Sequence, residues 1–473
     1  VTLFAERPTE QVGPRAPRSP QARRSPARRS PQPAQPGRSR RDAGIDAARA
    51  ACLVVVFVLH AMMVGVTVGP DGPVLENAME QWDGFAAATW IVQVMPLFFV
   101  IGGYAGWTAW QSMRARGGTA AEFVRARVER LVRPAIALVV AVGAALGLLA
   151  LAGVPAEVVA TAGFRIGQPL WFLAVYLACT ALVPMMVRAH ERRPIATLAG
   201  LATVVVSVDA LRVATGIEAI GFANLLFVWL LVQQLGFVLA QGHVDRMPRR
   251  ARLLVAGAAL ALLFAITHGG PYTPDLFQNL NPPTAALVVL GVVQLMLFSL
   301  VRARLRRWAE RPRPAALVAR FGEWGMTLYL WHLPAFVALA AALLVAHQAF
   351  GLELPDPVSP EWWASRPAWL VGAAVVTAML VRVFARYERG SGTGPRAVGV
   401  RLRVRVPLGV AVVAGIVGVG VALVIGFAPL PALLSVALLA VALAGARRAV
   451  PAVGAQPTRN SAIVSASERG SHR

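Results

Sequence analysis

Apolar runs close to 20 residues long recur between residues 50 and 446, each long enough to cross the hydrocarbon core of a bilayer. No other feature narrows the choice of fold so far. Within lipid, every backbone N–H and C=O must find its partner inside the spanning structure, so runs of this length and composition are read as helices. Twelve candidate spans fit, at 50–69, 88–110, 134–153, 170–187, 195–214, 222–241, 253–268, 284–301, 325–346, 367–385, 407–426 and 430–446. The expected fold is all-α, a polytopic transmembrane helical bundle. Charge agrees with this: 15% of the 473 residues are charged, against roughly 25% in a soluble domain.

The net charge of +23 does not point to nucleic acid, because the basic residues, all 46 of them arginine, cluster between the apolar runs and in the N-terminal stretch. Segments 111–133, 188–194, 242–252, 302–320 and 386–406 are arginine-rich, whereas 70–87 carries Asp71, Glu76, Glu80 and Asp83 with no arginine. This alternation is the positive-inside pattern, and it places both the N- and C-termini in the cytoplasm of a multi-pass protein of the cell membrane. Residues 1–43, rich in Pro, Arg, Ser and Gln, are expected to be a disordered basic tail, and 451–473 a second one. The basic region does not read as a signal peptide, since no apolar stretch with a small-residue cleavage site follows it before Ile45. The short stretch Phe427–Pro431 is either a tight hairpin between two spans or a break in one long helix. Cys52 and Cys179 lie inside apolar runs, with no metal-ligand spacing, so no metal is expected.

Ionisable residues in a spanning segment are costly and therefore mark candidate sites. Arg49 and His60 are eleven residues apart. On a helix this puts them on one face, ~16 Å apart, with His60 near the bilayer centre and Arg49 at the cytoplasmic boundary. Asp46 lies one turn before Arg49 and can pair with it. His332 lies twelve residues beyond Arg320, at a similar depth of ~18 Å. Either histidine can act as a general base near neutral pH. Arg127, Arg130 and Arg133 recur every third residue before Pro134, which can open the next helix. Such a stripe of planar, permanently charged forks suits polyphosphate. Asp209 and Arg212 are spaced to pair. Gln93, Gln233, Gln234 and Gln294 suit hydrogen bonds between helices. His190 and His243 fall in cytoplasmic loops, and the loop 272–284 sets Asp275, Gln278, Asn279 and Asn281 beside aromatic rings, a mix that suits a sugar-like acceptor.

Several of these motifs occur together and in order. They are IDAARAACLVVVFVLH (45–60), PLFFVIGGYAGW (96–107), RVERLVRP (127–134), PLWFL (169–173) and YLWHLP (329–334). Their order and spacing resemble acyltransferase family 3, the polytopic bacterial membrane O-acyltransferases. The resemblance covers roughly residues 44–385, the first ten spans, and leaves 386–450 as a basic cytoplasmic loop with one or two extra C-terminal helices. Gly102 stands where many members have Ser, and Gly325 or Thr327 where Ser is common.

The resemblance implies transfer of an acyl group, often acetyl, from cytoplasmic acyl-CoA to a hydroxyl of a glycan, glycolipid or other envelope acceptor. It implies that Arg127, Arg130 and Arg133 hold the CoA phosphates. His60 would be the base or acyl carrier, Arg49 would orient the donor, and His332 would be a second polar group of the same cavity. A transporter or flippase for a lipid-linked glycan is the alternative, since intramembrane histidines also suit proton coupling.

Overall fold

A computed structural model describes residues 42–69, 72–387 and 406–447. The expected tails, apart from residues 42 and 43, and most of the expected basic loop 386–406 lie outside these residues, as do both termini. Among the described residues, eleven helical segments are long and apolar enough to cross a membrane, and Leu408–Val424 is a shorter apolar helix of 17 residues. Each overlaps one of the twelve expected spans.

The first span is displaced from its expected position. Helix α1 runs Ala43–Met62, because the Asp42 side chain caps it by accepting from Gly44 N at 2.8 Å and Ile45 N at 3.2 Å. Such a cap stabilises a helix by about 1 kcal/mol. The same carboxylate meets Arg302 at 2.7 Å. The chain then leaves the helix as an antiparallel hairpin of β1 (Val64–Gly69) and β2 (Gly72–Asn77), with Val64 opposite Asn77. Residues 64–69 had been expected to continue the first helix. The Val-Gly-Val-Thr-Val alternation that starts β1 favours extended backbone instead.

Helices α2 (Phe85–Val92) and α3 (Met95–Ala115) form one interrupted span. The break is stitched by glutamine: Gln294 Nε2 donates to Gln93 O at 2.6 Å, and Gln294 Oε1 accepts from Leu97 N at 2.8 Å. Helix α4 runs Ala120–Leu151, opened by a capping box between Thr119 and Glu122. Pro134 therefore lies inside a helix rather than at its start, and the arginine stripe is helical. Helices α5 (Ala156–Gly167) and α6 (Leu170–Arg192) make the fourth span.

Helix α7 (Pro194–Thr215) leads through the short α8 (Glu218–Gly221) to α9 (Asn224–Ala240). Helices α3 and α9 meet backbone to backbone: a Cβ on Gly103 would fall 2.2 Å from Gln233 O, and one on Gly236 2.1 Å from Val100 O. Small residues of this kind are what lets spanning helices approach closely. The one-turn α10 (His243–Arg246) precedes α11 (Arg249–His268) and α12 (Ala285–Ala309). Helix α13 is long, Pro312–Phe350, and α14 runs Pro360–Phe384. Helix α1 packs against α12, α13, α3 and α14. The final pair, α15 (Leu408–Val424) and α16 (Pro429–Ala446), is a tight hairpin laid on α4 and α6, which settles the reading of residues 427–431.

Other local expectations are corrected. Asp209 does not pair with Arg212. It accepts from Tyr272 Oη at 2.8 Å, Ala285 N at 2.8 Å and Asn224 Nδ2 at 2.9 Å, while Arg212 meets Glu218 at 3.1 Å. Two of the polar groups of loop 272–284 are turned onto its own backbone: Asp275 accepts from Phe277 N and Asn279 donates to Thr273 O, both at 2.7 Å. Those two side chains shape the loop, while Gln278 and Asn281 stay exposed. His190 is buried in the last turn of α6, bonded to Gln234 at 2.7 Å, and His243 opens α10.

Candidate active site

The two histidines singled out from the sequence touch. His60 Nδ1 lies 2.8 Å from His332 Nε2, with the rings within 5° of parallel. His60 belongs to the last turn of α1, and His332 is buried near the middle of α13. Ending α1 at Met62 moves His60 away from the mid-helix position expected for it. The two depths still match, because α13 starts earlier than expected as well.

The hydrogen bonds fix the tautomers of the neutral pair. His332 Nδ1 is 2.6 Å from the Tyr329 carbonyl, which can only accept, so Nδ1 carries the proton. His332 Nε2 is then a lone pair, and His60 Nδ1–H donates to it. This leaves His60 Nε2 with its lone pair free, and among the described residues no hydrogen-bond partner reaches it. Carbonyl, buried imidazole and partly exposed imidazole thus form a chain that presents one basic nitrogen, an arrangement suited to general-base catalysis.

Both ends of this chain are anchored. Tyr329 Oη donates to the Pro169 carbonyl at the start of α6, tying the PLWFL segment to the YLWHLP segment. Phe336 packs edge-on to His332 at 5.5 Å. The carbonyls freed where α1 ends find donors on α14: Trp369 Nε1 reaches Ala61 O at 2.8 Å, and Arg366 reaches Val64 O at 3.3 Å. Arg366 is buried and stacks over Trp362 at 4.1 Å. Neither residue stood out in the sequence, since partners that are backbone carbonyls leave no spacing rule. The one available signal for Arg366 was an arginine at the helix end where the charge pattern disfavours it.

Arg49 pairs with Asp46 at 3.3 Å, as its spacing implied. On α4, Arg127 is partly buried, with its guanidinium 5.0 Å from the Phe123 ring centre, and Arg130, Arg49 and the Tyr176 phenol lie in its neighbourhood. Among the described residues no carboxylate lies within 4.0 Å of Arg127 or Arg130. Arg133 differs: Glu129 holds it at 2.5 Å and also meets Arg447 at 3.5 Å. The structure therefore groups Arg127, Arg130 and Arg49, and turns Arg133 to an ion pair.

An aromatic wall joins the two clusters. Tyr176 stacks on Phe172 at 5.4 Å, Phe172 meets Tyr329 at 5.1 Å, and Tyr329 lies 6.2 Å from His332. Tyr176 was not anticipated; it sits one turn beyond Phe172 of the WFL segment. A Cβ on Gly102 would lie 3.4 Å from the Tyr176 ring, an ordinary contact, so the smaller residue leaves the wall intact. Among the described residues no group of three or more His, Cys, Asp or Glu side chains could hold a metal ion.

The family model of the acyltransferase domain matches residues 42–385. Neither the curated proteins nor the solved structures gave a match. The matched segment holds the histidine pair, the arginine group and the aromatic wall, and it stops before α15. Nothing in the fold or the comparisons favours transport. This chain is a multi-pass membrane acyltransferase and belongs to acyltransferase family 3.

Proposed function

We propose that the enzyme transfers an acyl group, often acetyl, from acyl-CoA to a hydroxyl of a glycan, glycolipid or other cell-envelope acceptor. The observation that carries this reading is the free Nε2 of His60, set by the His332 and Tyr329 hydrogen bonds, on the same helix as Arg49. Arg127 and Arg130, which have no acidic partner among the described residues, bind the CoA phosphates, and Arg49 orients the donor. The thioester then lies along the aromatic wall toward the histidines.

His60 Nε2 takes the proton of the acceptor hydroxyl as its oxygen attacks the thioester carbonyl. The C–S bond breaks, and the proton passes from the imidazolium to the departing thiolate, leaving an ester and free CoA. The positive charge that develops on His60 is shared with His332 through the Nδ1–H bond. The protein lies in the plasma membrane with the arginine-rich helix ends and both termini on the cytoplasmic side, so donor and acceptor reach His60 from opposite ends of the bundle.

The test is His60→Ala, with its level in the membrane checked against wild type. Envelope glycans and lipids are compared by mass spectrometry for loss of an acyl increment. Normal acylation of the acceptor by this variant would remove His60 from the chemistry.

A further inference from the structure

At the hairpin end of the bundle, beyond His60, two tryptophans stand half out of the protein. Trp82 is 38% exposed and Trp363 is 37% exposed. Their rings meet at 5.6 Å and 71°, forming a corner of two indoles. The corner is built rather than incidental. A Cβ on Gly84 would fall 2.6 Å from the Trp82 ring, so the indole lies directly on the Gly84 backbone. Trp363 rests edge-on against the buried Trp362 at 4.9 Å. Trp362 belongs to a buried cluster with Ala78, Met79 and Phe85, and Leu59, Met62 and Met63 from the end of α1 pack against that cluster.

Tryptophan at a bilayer interface often serves only as an anchor. The surroundings here are polar and acidic: Glu80, Gln81, Trp82 and Asp83 are all exposed in one run, and Glu361 is exposed beside Trp363. A pyranose ring has an apolar C–H face that suits the negative face of an indole, and hydroxyls at its rim that suit carboxylates. Carboxylates around the corner also repel an acidic sugar.

We propose that Trp82 and Trp363 dock a neutral saccharide ring of the acceptor, with Asp83 accepting its hydroxyls. The inference rests on the acyl-transfer reading of His60 and specifies the acceptor class for that site.

The test uses full-length protein in lipid nanodiscs, with tryptophan fluorescence titrated by maltotriose, cellotriose, mannotriose and chitotriose, and by trigalacturonate as the acidic control. At least one neutral trisaccharide is expected to give a saturable change. Trp82→Ala and Trp363→Ala should each weaken that binding about tenfold, and Trp82→Phe should restore most of it by keeping an aromatic face. Trigalacturonate should bind more weakly than the neutral probe. The proposal is overturned by no saturable response to any neutral probe, by equal binding to the alanine variants, or by stronger binding of trigalacturonate. It is also overturned if brominated lipids quench Trp82 and Trp363 while no sugar does, which would make them membrane anchors. Repeating the titration on His60→Ala separates the two readings: the sugar should still bind, whereas acyl transfer tests His60 itself.

Discussion

Replacing His332 by Asn isolates the part it plays in orienting His60. The 2.8 Å bond holds His60 Nδ1–H against His332 Nε2. Without that acceptor the ring is free to turn or change tautomer, and a buried donor is left unpaired at a cost of about 1–3 kcal/mol. If that whole cost falls on the transition state, at about 1.4 kcal/mol per decade, the turnover falls about 5- to 150-fold. His60→Ala removes the base itself and should cost about 10²- to 10⁴-fold. The double variant should be no slower than His60→Ala alone, because His332 has nothing left to orient. The assay is acyl transfer by purified protein at saturating acyl-CoA, with folding checked by size-exclusion profile. The KM for acyl-CoA should stay constant, since the phosphates are held elsewhere. Losses that simply multiply in the double variant would refute the relay and leave two independent histidines.

Arg127→Ala and Arg130→Ala should each weaken CoA binding about tenfold, while Arg133→Ala should do much less because Glu129 already holds that side chain. Equal losses at all three positions, measured by calorimetry, would contradict the division of the stripe. Trp369→Phe keeps the ring but leaves the Ala61 carbonyl without its donor, a loss of about 1–3 kcal/mol, and should lower both the thermal midpoint and the transfer rate. An unchanged midpoint would mean that α14 does not secure the end of α1. Burial and the adjacent Asp209 push the Tyr272 hydroxyl above its ordinary pKa of 10.0. Its folded form holds the proton longer than the unfolded chain, so its contribution is complete below about pH 10 and fades as pH climbs toward the folded value. Thermal midpoints should therefore fall more steeply above pH 10 in wild type than in Tyr272→Phe, and parallel curves would exclude this linkage.

The spans were legible because bilayer thickness sets their length, and arginine placement separated them. The pairing of His60 with His332 was legible only as equal depth, since no local pattern shows that two helices 272 residues apart touch. The ends of α1 were misjudged for a definite reason. An apolar window does not distinguish a helix from the valine-rich strand that follows it, although the alternation at Val64–Gly69 carried the difference. The start of α4 was written in Thr119 and Glu122, a cap signal outweighed by the density of arginine that follows. Arg366 and Trp369 were hidden more deeply: the partners through which they reach the end of α1 and the start of β1 are main-chain carbonyls, which every residue has.

The position of His60 on α1 sets up a competition. It lies two residues from the end of its helix, ~3 Å by axial rise, and eleven residues from Arg49, ~16 Å. With the donor bound at Arg49 as proposed, its thioester travels most of the helix to be used, whereas on the other side of His60 the helix ends within one turn. Water is also a hydroxyl nucleophile, and a base this close to it would hydrolyse the donor unless solvent were kept out. The β-hairpin that continues directly from α1 begins at Val64, four residues past His60, and is where such exclusion would have to act. On the proposed mechanism the efficiency of the enzyme is a ratio, acyl groups delivered against acyl groups lost to hydrolysis, and that ratio would be set where α1 gives way to strand.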